Sequence, residues 1–273
     1  MKFDFWLERV RADRPLVHNI TNLVVNNIAA NALLAMGASP VMAYAPEEVG
    51  DMARIAQALS LNMGTLTSDI VRSMKIAGKA ANDAGVPVIF DPVGVGATPY
   101  RTEVAGNIPE DVKLTVLRGN AGEMSVFLGL AGEVKGVDSL GSHQSLPLVM
   151  KEYAKKQGVV MIATGVEDYV TDGEQIWRLG NGHPLLSHIT GSGCMLTALL
   201  GAFVGVAPKH SNLQVYAEAC VAAVTTYNVA AEIAAQESAG PGTFQARLFD
   251  SLYKIDGETV KRMAHVELVS EHE

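Results

Sequence analysis

A short glycine-rich segment, TGSGC at 190–194, has the composition of an anion-binding turn. Gly191 and Gly193 allow a tight turn that leaves backbone N–H groups exposed, and a helical pattern begins directly afterwards. The first N–H groups of a helix lack internal partners, and the helix dipole adds positive potential in front of them. The candidate phosphate-binding residues are therefore Gly191, Ser192, Gly193 and Cys194. An ordinary glycine-rich helix start is the competing interpretation, and this is not a Walker A loop because no Lys follows the last Gly.

Cys194 lies in the first turn of that predicted helix, where the helix N-terminus can stabilise a thiolate. The sequence therefore predicts a lowered pKa for the Cys194 thiol and a catalytic role in accepting the proton of a substrate hydroxyl. The alternative is a small buried apolar side chain, which is what most free cysteines are. We interpret Cys220 in that way because it lies among Ala and Val in residues 217–224.

An acidic residue, Asp91, ends the strongly apolar run at 86–90. A carboxylate at the end of a buried strand can face a ligand or the water shell of a metal ion. The alternative is a helix or turn cap, which the following Pro92 supports.

A second acidic residue, Glu123, lies in RGNAGE at 118–123, where another apolar run gives way to a helical pattern. Mg²⁺ prefers one or two carboxylates together with phosphate oxygens, so Asp91 and Glu123 are candidate metal residues. Arg118 could hold a phosphate through paired N–H donors. The spacing from Asn120 to Glu123 also fits a helix capping box, and this local role is equally well supported.

Two further polar segments follow apolar runs. Thr164 and Gly165 place a hydroxyl and a glycine at one strand end, although a plain turn has the same appearance. The segment HNITN at 18–22 is unusually polar for turn chemistry alone, so these residues are candidates for hydrogen bonds to a substrate. Thr21 and Asn22 would also serve as caps for the helix predicted after them.

The candidate residues lie in a sequence in which short apolar runs alternate with longer segments of helical spacing. The candidate strands are 16–20, 40–45, 59–63, 87–90, 114–117 and 159–163. The candidate helices between them are 23–36, 46–58, 68–84, 121–130 and 144–156. This alternation is typical of α/β proteins with a mainly parallel sheet covered by helices on both faces. Ligands of such sheets bind beyond the carboxyl ends of the strands, where the polar segments lie.

The pattern changes after residue 163. Residues 168–171 and 175–179 flank the turn Asp172-Gly173 and predict an antiparallel hairpin at a sheet edge. Later helices are predicted at 193–204, 213–238 and 243–255. Since no proline- or serine-rich linker and no internal repeat divides the sequence, we expect a single domain over residues 1–273.

Composition excludes several classes of protein. The 273 residues are 48% hydrophobic and 18% charged, as in packed globular proteins. The net charge of −8 argues against non-specific nucleic-acid binding, which needs clustered Lys and Arg. The N-terminal MKFDFWLERVRADRP mixes acids and bases unlike a signal peptide, and no apolar stretch spans a bilayer, so we expect a cytoplasmic protein. His183 and His188 lack metal-ligand spacing and are interpreted as surface or structural residues.

Taken together, these segments resemble the hydroxyethylthiazole kinases of the ribokinase-like superfamily. The resemblance covers nearly the whole sequence through PLVHNITN at 15–22, NxxAN at 27–31, GASPVMAYAPEE at 37–48, LNMGTL at 61–66, PVIFDPVGVGAT at 87–98, RGNAGE at 118–123, ATG at 163–165, TGSGC at 190–194 and GPGTFQ at 240–245. Related sugar and vitamin kinases usually carry GxGD where this sequence has Cys194, so the match favours a thiazole over a sugar substrate.

The resemblance implies a ribokinase-like fold and the ATP- and Mg²⁺-dependent phosphorylation of 4-methyl-5-(2-hydroxyethyl)thiazole, a step of thiamine salvage. It implies that Arg118 and Thr164 contact ATP, and that Asp91 and Glu123 belong to the magnesium neighbourhood. It also implies a homotrimer with the thiazole site at the subunit interface. The substrate contacts implied by the resemblance are Met42, Gly191 and Asn22.

Three other functions remain open at this point. The first is a related kinase that acts on another small vitamin-precursor alcohol. The second is a hydrolase with Cys194 as nucleophile, which would need a histidine within reach that no sequence feature designates. The third is a nucleotide-binding protein without catalytic activity.

Overall fold

The computed structural model describes residues 2–130 and 145–269, and within these ranges nine strands form one sheet. The strands are β1 (Leu16–Ile20), β2 (Ser39–Val41), β3 (Ala58–Asn62), β4 (Val88–Asp91), β5 (Val116–Asn120), β6 (Val160–Thr164), β7 (Asp168–Thr171), β8 (Ile176–Leu179) and β9 (Val266–Leu268). Their order across the sheet is β2-β1-β3-β4-β5-β6-β7-β8-β9. The pairs from β2 to β6 are parallel, and β7, β8 and β9 extend the sheet in antiparallel fashion.

Helices cover both faces of this sheet. Those described are α1 (Phe3–Asp13), α2 (Asn26–Met36), α3 (Val49–Ile55), α4 (Ser68–Asp83), α5 (Pro99–Asp111), α6 (Ala121–Phe127), α7 (Leu146–Gln157), α8 (Ser192–Gly205), α9 (Leu213–Gln236), α10 (Pro241–Lys254) and α11 (Gly257–Met263), with a 3₁₀ helix at Pro184–His188. One apolar core lies between the sheet and α1, α2 and α8–α11, and a second lies between the sheet and α3–α7. None of the helices described is long and apolar enough to cross a membrane.

The central strands are apolar on both faces because both are covered. Every residue of β3 is buried, and β4 is buried throughout. Helix α8 is buried from Met195 to Val204, and its small residues let it pack closely on the sheet. A Cβ on Gly201 would approach Val17 Cγ1 of β1 to 2.7 Å. Helix α8 is therefore fixed in place along its length, and its N-terminus is held over the end of the sheet.

The register of the parallel strands brings their carboxyl ends to a common edge. Asn62 of β3 is paired with Asp91 of β4, and Asn120 of β5 is paired with Thr164 of β6. Polar residues at the ends of four adjacent strands thus lie side by side, as expected for a ligand site of an open α/β sheet.

The predicted fold class is confirmed, with differences at the element boundaries. The strand predicted at 40–45 is only three residues long, because the chain leaves the sheet after Val41. Helix α2 begins at Asn26 and not at residue 23, and the predicted start of α7 at residue 144 lies outside the described residues. The predicted hairpin is present as β7 and β8, but β9 pairs with β8 and forms the actual edge of the sheet.

Candidate active site

Helix α8 begins at the wall of a cavity of about 880 Å³ that also reaches the ends of β4, β5 and β6. Gly191 precedes the helix with φ 76°, in the left-handed region that favours glycine, and no side chain caps the helix. A Cβ on Gly191 would also collide with Val25. The cavity wall includes Gly191, Ser192, Gly193 and Cys194. The predicted phosphate-binding turn therefore opens into a cavity, with its first N–H groups free of side-chain acceptors.

Arg118 lies inside this cavity, directly in front of α8. Its Nη2 donates to Thr164 Oγ1 at 2.6 Å, and its Nη1 lies 3.4 Å from Asp91 Oδ2. The guanidinium also packs against Gly193, where an added Cβ would lie 2.6 Å from Nη1. The structure thus brings Arg118 and Thr164 together beside the helix N-terminus.

Asp91 is fully buried at the end of β4, and its two oxygens differ in environment. Oδ2 accepts from Thr197 Oγ1 at 2.6 Å and from Asn62 Nδ2 at 3.0 Å, whereas Oδ1 has no hydrogen-bond partner. Burial raises the pKa of Asp91 to about 6, the nearby Glu123 carboxylate acts in the same direction, and Arg118 opposes both. A turn cap was the alternative for Asp91, but this carboxylate bonds to side chains from other elements.

Glu123 combines the two roles that the sequence left open. It forms a capping box with Asn120 at the start of α6, and its Oε1 also accepts from the Gly94 N–H at 2.8 Å. The same carboxylate lines the cavity. Glu123 therefore holds the loop after β4 against α6 while it adds negative charge beside Asp91.

Cys194 lies in the first turn of α8, but its ionisation differs from the prediction. Burial raises the pKa of the Cys194 thiol to about 11, and the negative charge of Asp91 adds to this effect. The N–H groups of Asn62 and Asn22 and the charge of Arg118 act in the opposite direction without overcoming it. The predicted lowering of the pKa is therefore wrong, because the sequence could not show how deeply the sulfur is buried next to a carboxylate.

The two predicted substrate residues outside the turn lie in different places. Asn22 follows β1, and its Nδ2 donates to Asn62 Oδ1 at 2.9 Å and to Cys194 Sγ at 3.5 Å. Asn22 Oδ1 also accepts from the Val24 N–H and so closes a local turn. Its alternative role as a helix cap is wrong, because the N-cap of α2 is Val25 and no side chain caps this helix. Met42 follows β2 and packs against the core near α2; it does not line the cavity of this single chain.

Comparison with known proteins assigns the chain to a family. The model of the hydroxyethylthiazole kinase family matches residues 7–258. The chain belongs to this family. It is 49% identical to a hydroxyethylthiazole kinase from Moorella thermoacetica over 262 residues, which is 96% of each protein.

Solved structures agree with the family assignment. The hydroxyethylthiazole kinase protein from Pyrococcus horikoshii OT3 superposes with a TM-score of 0.87 at 42% identity, over 98% of this chain and 99% of that one. A ribokinase-like superfamily protein from Enterococcus faecalis is similar in fold alone, with a TM-score of 0.64 at 12% identity over 90% of this chain and 89% of that one. This member of the hydroxyethylthiazole kinase family therefore has the ribokinase-like fold.

Several residues of this kinase site were not predicted. Asn62 connects Asn22, Asp91 and Cys194, and Thr197 donates to Asp91 from α8. Asn62 also ends a buried strand, so the reasoning that found Asp91 could have found it. Thr197 carried no comparable signal, because one hydroxyl in an apolar helix is common.

The residues on the far wall of the cavity were also not predicted from the sequence. Asp168 is buried and accepts from the Gly165 N–H at 2.9 Å and from Asn228 Nδ2 at 2.7 Å, while Tyr227 donates to the Ser192 carbonyl at 2.9 Å. His183 lines the cavity, and its Nδ1 accepts from the Leu185 N–H at 3.2 Å, which fits its interpretation as a structural residue. No histidine nitrogen in residues 2–130 and 145–269 is hydrogen-bonded to the Cys194 sulfur, so the arrangement does not support a cysteine hydrolase.

The carboxylates of the site fit a hydrated magnesium ion better than a tightly ligated metal. Within the described ranges, no group of three or more His, Cys, Asp or Glu side chains could hold a metal by itself. Asp91 Oδ1 is an acceptor without a partner, and Glu123 places a second carboxylate nearby. Mg²⁺ keeps several waters and binds through one or two carboxylates plus phosphate oxygens, so this donor set fits it.

Proposed function

We propose that this chain transfers the γ-phosphoryl group of ATP to the hydroxyl of 4-methyl-5-(2-hydroxyethyl)thiazole, the alcohol named in its family. The observation that carries the proposal is the uncapped N-terminus of α8, which opens into the cavity beside Arg118 and two carboxylates. Phosphoryl transfer depends mainly on positioning and charge stabilisation, and this arrangement supplies both.

The phosphate end of ATP is held by the turn from Gly191 to Cys194 and by Arg118. Backbone N–H groups at a helix N-terminus bind anionic oxygens, and a guanidinium offers paired donors to a phosphate. Thr164 keeps Arg118 in place through its 2.6 Å hydrogen bond. When phosphate arrives, Arg118 exchanges its long contact with Asp91 for the phosphate oxygens, which leaves Asp91 free.

Asp91 and Glu123 are the residues that would hold magnesium, through Asp91 Oδ1 and the bound waters. When bound, Mg²⁺ neutralises part of the polyphosphate charge. The burial that raises the pKa of Asp91 makes an unpaired carboxylate costly at this position. Positive charge beside it therefore favours its ionised form, which is the form that binds a cation.

Cys194 is placed to receive the substrate hydroxyl next to the phosphate site. Because the pKa of its thiol is raised to about 11, Cys194 carries its own proton in most molecules at neutral pH and mainly orients the alcohol. Only the minor thiolate form can accept the hydroxyl proton, which returns it to the thiol as the bond to phosphorus forms. Asn22 donates to this sulfur, and Gly191 lies in the same cavity wall as Cys194. Both are the proposed contacts of the thiazole.

Met42 requires a second copy of the chain for its proposed contact with the thiazole, because it does not line the cavity described here. We therefore include a homotrimer with a thiazole site between subunits in the proposal. We also place the reaction in the cytoplasm, where ATP and Mg²⁺ are supplied.

An ADP-release assay tests the proposed function. Purified chain is incubated with ATP, with and without Mg²⁺, and with or without hydroxyethylthiazole. We expect ADP release that requires both additions, and a phosphorylated thiazole detected by mass spectrometry. Pyrimidine and pyridine alcohols are assayed in parallel, and a higher kcat/KM for one of them would reassign the substrate. ATP binding without alcohol-dependent ADP release would contradict the proposal.

A further inference from the structure

Asn62 lies at the centre of the site, with all the hydrogen-bonding capacity of its amide in use. It is the last residue of β3, and its side chain is buried. Oδ1 accepts from the Gly64 N–H at 3.0 Å and from Asn22 Nδ2 at 2.9 Å. Nδ2 donates to Asp91 Oδ2 at 3.0 Å and to Cys194 Sγ at 3.2 Å. A carboxamide offers two acceptor positions and two donors, so none is left over.

The orientation of this amide is fixed by its neighbours. The backbone N–H of Gly64 can only donate, so the amide oxygen must face it. An ionised Asp91 can only accept, so the NH₂ group must face the carboxylate. Rotating the amide by half a turn would place two oxygens together at Asp91 and two N–H donors together at Gly64. One arrangement is therefore strongly favoured, and it directs an N–H at the Cys194 sulfur.

We propose that Asn62 is a positioning residue for phosphoryl transfer, which holds the Cys194 sulfur and the Asp91 carboxylate in one arrangement through the two N–H groups of a single amide. The inference rests on the proposed function, since it concerns the group that receives the alcohol and the group that would hold the metal. Asn62 acts through these two residues and does not line the cavity itself.

Each N–H of Asn62 has a separate consequence. The N–H that faces Asp91 is bonded to Oδ2, which also accepts from Thr197, so Oδ1 is the carboxylate oxygen left available. At Cys194 it occupies one side of the sulfur, and Asn22, itself held by Asn62 Oδ1, approaches with a second N–H. N–H donors favour negative charge on a sulfur, so they assist the late proton transfer from the alcohol.

A purely structural role is the alternative explanation for Asn62. Its bond with the Gly64 N–H closes a local turn after β3, and such turns are a common use of asparagine. Asn62→Asp separates the two explanations, because it keeps the shape and the acceptor for Gly64 but removes both N–H donors. Asn82→Asp is the matched control: Asn82 also accepts from one backbone N–H, that of Lys113, and donates to one carbonyl, but it lies outside the cavity.

Steady-state kinetics give the first measurement. For Asn62→Asp we expect kcat for the alcohol to fall by about 10- to 100-fold, the usual effect of removing a partner that orients a metal-site ligand. The KM for ATP should change much less, because the phosphate-binding turn keeps its backbone donors. Asn82→Asp should retain the wild-type kcat. An unchanged kcat in Asn62→Asp would overturn the proposal.

A second measurement needs neither nucleotide nor metal. The rate of alkylation of Cys194 by iodoacetamide is followed by peptide mass spectrometry at fixed pH. Loss of an N–H donor and gain of a carboxylate should slow alkylation in Asn62→Asp by about tenfold, the effect of roughly one pKa unit. A merely structural role predicts the opposite, because a loosened turn would expose the sulfur and speed the reaction.

The two proposals fail in distinguishable ways. Wild-type protein without alcohol-dependent ADP release would contradict the proposed function, whereas faster or unchanged alkylation in Asn62→Asp would contradict the role of Asn62. If Asn62→Asp does not fold, Asn62→Ser replaces it, since a serine keeps one acceptor and one donor. Asn62→Ser should shift kcat and the alkylation rate in the same directions by smaller factors, and wild-type values for both would overturn the proposal.

Discussion

Asp91 and Cys194 share an unusual electrostatic situation, in which burial disfavours the charged form of both. The pKa of Asp91 is raised to about 6 and that of Cys194 to about 11, and each negative charge would oppose the other. Arg118 is a positive charge that favours the ionised form of both groups, but at 3.4 Å from Asp91 its contact is long. The free site is therefore short of positive charge, and a ligand that brings a cation relieves the imbalance.

Replacement of Cys194 by alanine tests its role in proton transfer. General-base assistance is typically worth about 10²–10⁴-fold, and a thiol with a raised pKa belongs near the lower end. We expect Cys194→Ala to lower kcat by about 10²-fold with a smaller change in the KM for the alcohol. Cys220→Ser, far from the cavity in α9, is the control in the same steady-state assay. An unchanged kcat in Cys194→Ala would remove the base assignment.

Asp91→Asn should stabilise the fold while it abolishes activity. A carboxyl whose pKa rises from 3.8 to about 6 on folding binds its proton more tightly when folded, so stability falls as pH rises from about 4 to 6. Asparagine avoids this loss, and the free energy of unfolding at pH 7.5 should increase by about 1–3 kcal/mol. Denaturant melts at pH 7.5 and pH 4 provide the measurement, and the gain should shrink at pH 4.

Asp111→Asn is a control for which we expect the opposite change in the free energy of unfolding. Hydrogen bonds from Lys75 and Lys79 lower the pKa of the partly exposed Asp111, so its charge stabilises the folded state at neutral pH. Asp111→Asn should therefore be less stable than wild type at pH 7.5. If Asp91→Asn also loses stability at pH 7.5, the attraction between Arg118 and the Asp91 carboxylate contributes more to the free energy of unfolding than the burial of that carboxylate costs.

At the scale of elements, the site depends on how tightly α8 approaches Arg118. Gly193 has no positive φ, so its lack of a side chain matters for space alone. An added Cβ would lie 2.6 Å from Arg118 Nη1 and 2.9 Å from Nη2. The guanidinium can take its place before the helix only because this position in α8 carries no side chain.

Gly193→Ala should weaken ATP binding without weakening the helix. Alanine favours a helix interior by about 1 kcal/mol over glycine, so the melting temperature should not fall. Displacement of Arg118 removes a charge-assisted hydrogen bond worth about 1.5–3 kcal/mol, so the Kd for ATP should rise about 10- to 100-fold. Titration calorimetry with Mg²⁺ and ATP measures this change. Gly106→Ala in α5, which has open space around it, should bind ATP like wild type.

Most elements with simple periodicity were predicted from the sequence, whereas two helices were not. Continuous apolar runs identified β1 and β3–β6 to within three residues at each end, because strands covered on both faces need such runs. Helix α5 was missed, since Pro99, Gly106 and Pro109 within it read as helix breakers. Helix α1 was missed although Phe3, Trp6, Leu7 and Val10 follow helical spacing and are buried.

The features of the site also fall into those that could be predicted from the sequence and those that could not. Residues at the ends of parallel strands could be predicted, because chain order and sheet topology bring them to one edge. The pKa of Cys194 and the connecting role of Asn62 could not be predicted, because both depend on contacts between β3, β4 and α8 that no local pattern encodes. Met42 remains a prediction that depends on a neighbouring chain.

At the scale of the whole molecule, one face of α2 leaves apolar side chains uncovered. Leu34 is 57% exposed, and helical spacing places it on one side of α2 with Asn27 and Asn31. Val24, in the turn just before the helix, is 68% exposed. This face continues from Asn22, which contacts Cys194. A neighbouring copy seated there would lie beside the active site, in agreement with the proposed trimer.

Sedimentation velocity tests this assembly. We expect the wild-type protein to sediment at three times the chain mass of 28.9 kDa. Leu34→Glu should shift it towards the monomer, since burying an unpaired charge at an interface is costly. Leu148→Glu on α7, an exposed leucine on another helix, should leave the trimer intact. A wild-type monomer at micromolar concentration would contradict the proposed assembly.

Residues that meet at this site are far apart along the chain. Thr197 and Asp91 are separated by 106 positions, and Asn22 and Cys194 by 172. During synthesis the two carboxylates of the site emerge from the ribosome long before the glycine turn that is proposed to bind phosphate. An unfinished polypeptide on the ribosome thus lacks the means to hold a nucleotide. Catalytic competence should appear only after α8 has been synthesised and has docked onto the strands that precede it in the chain.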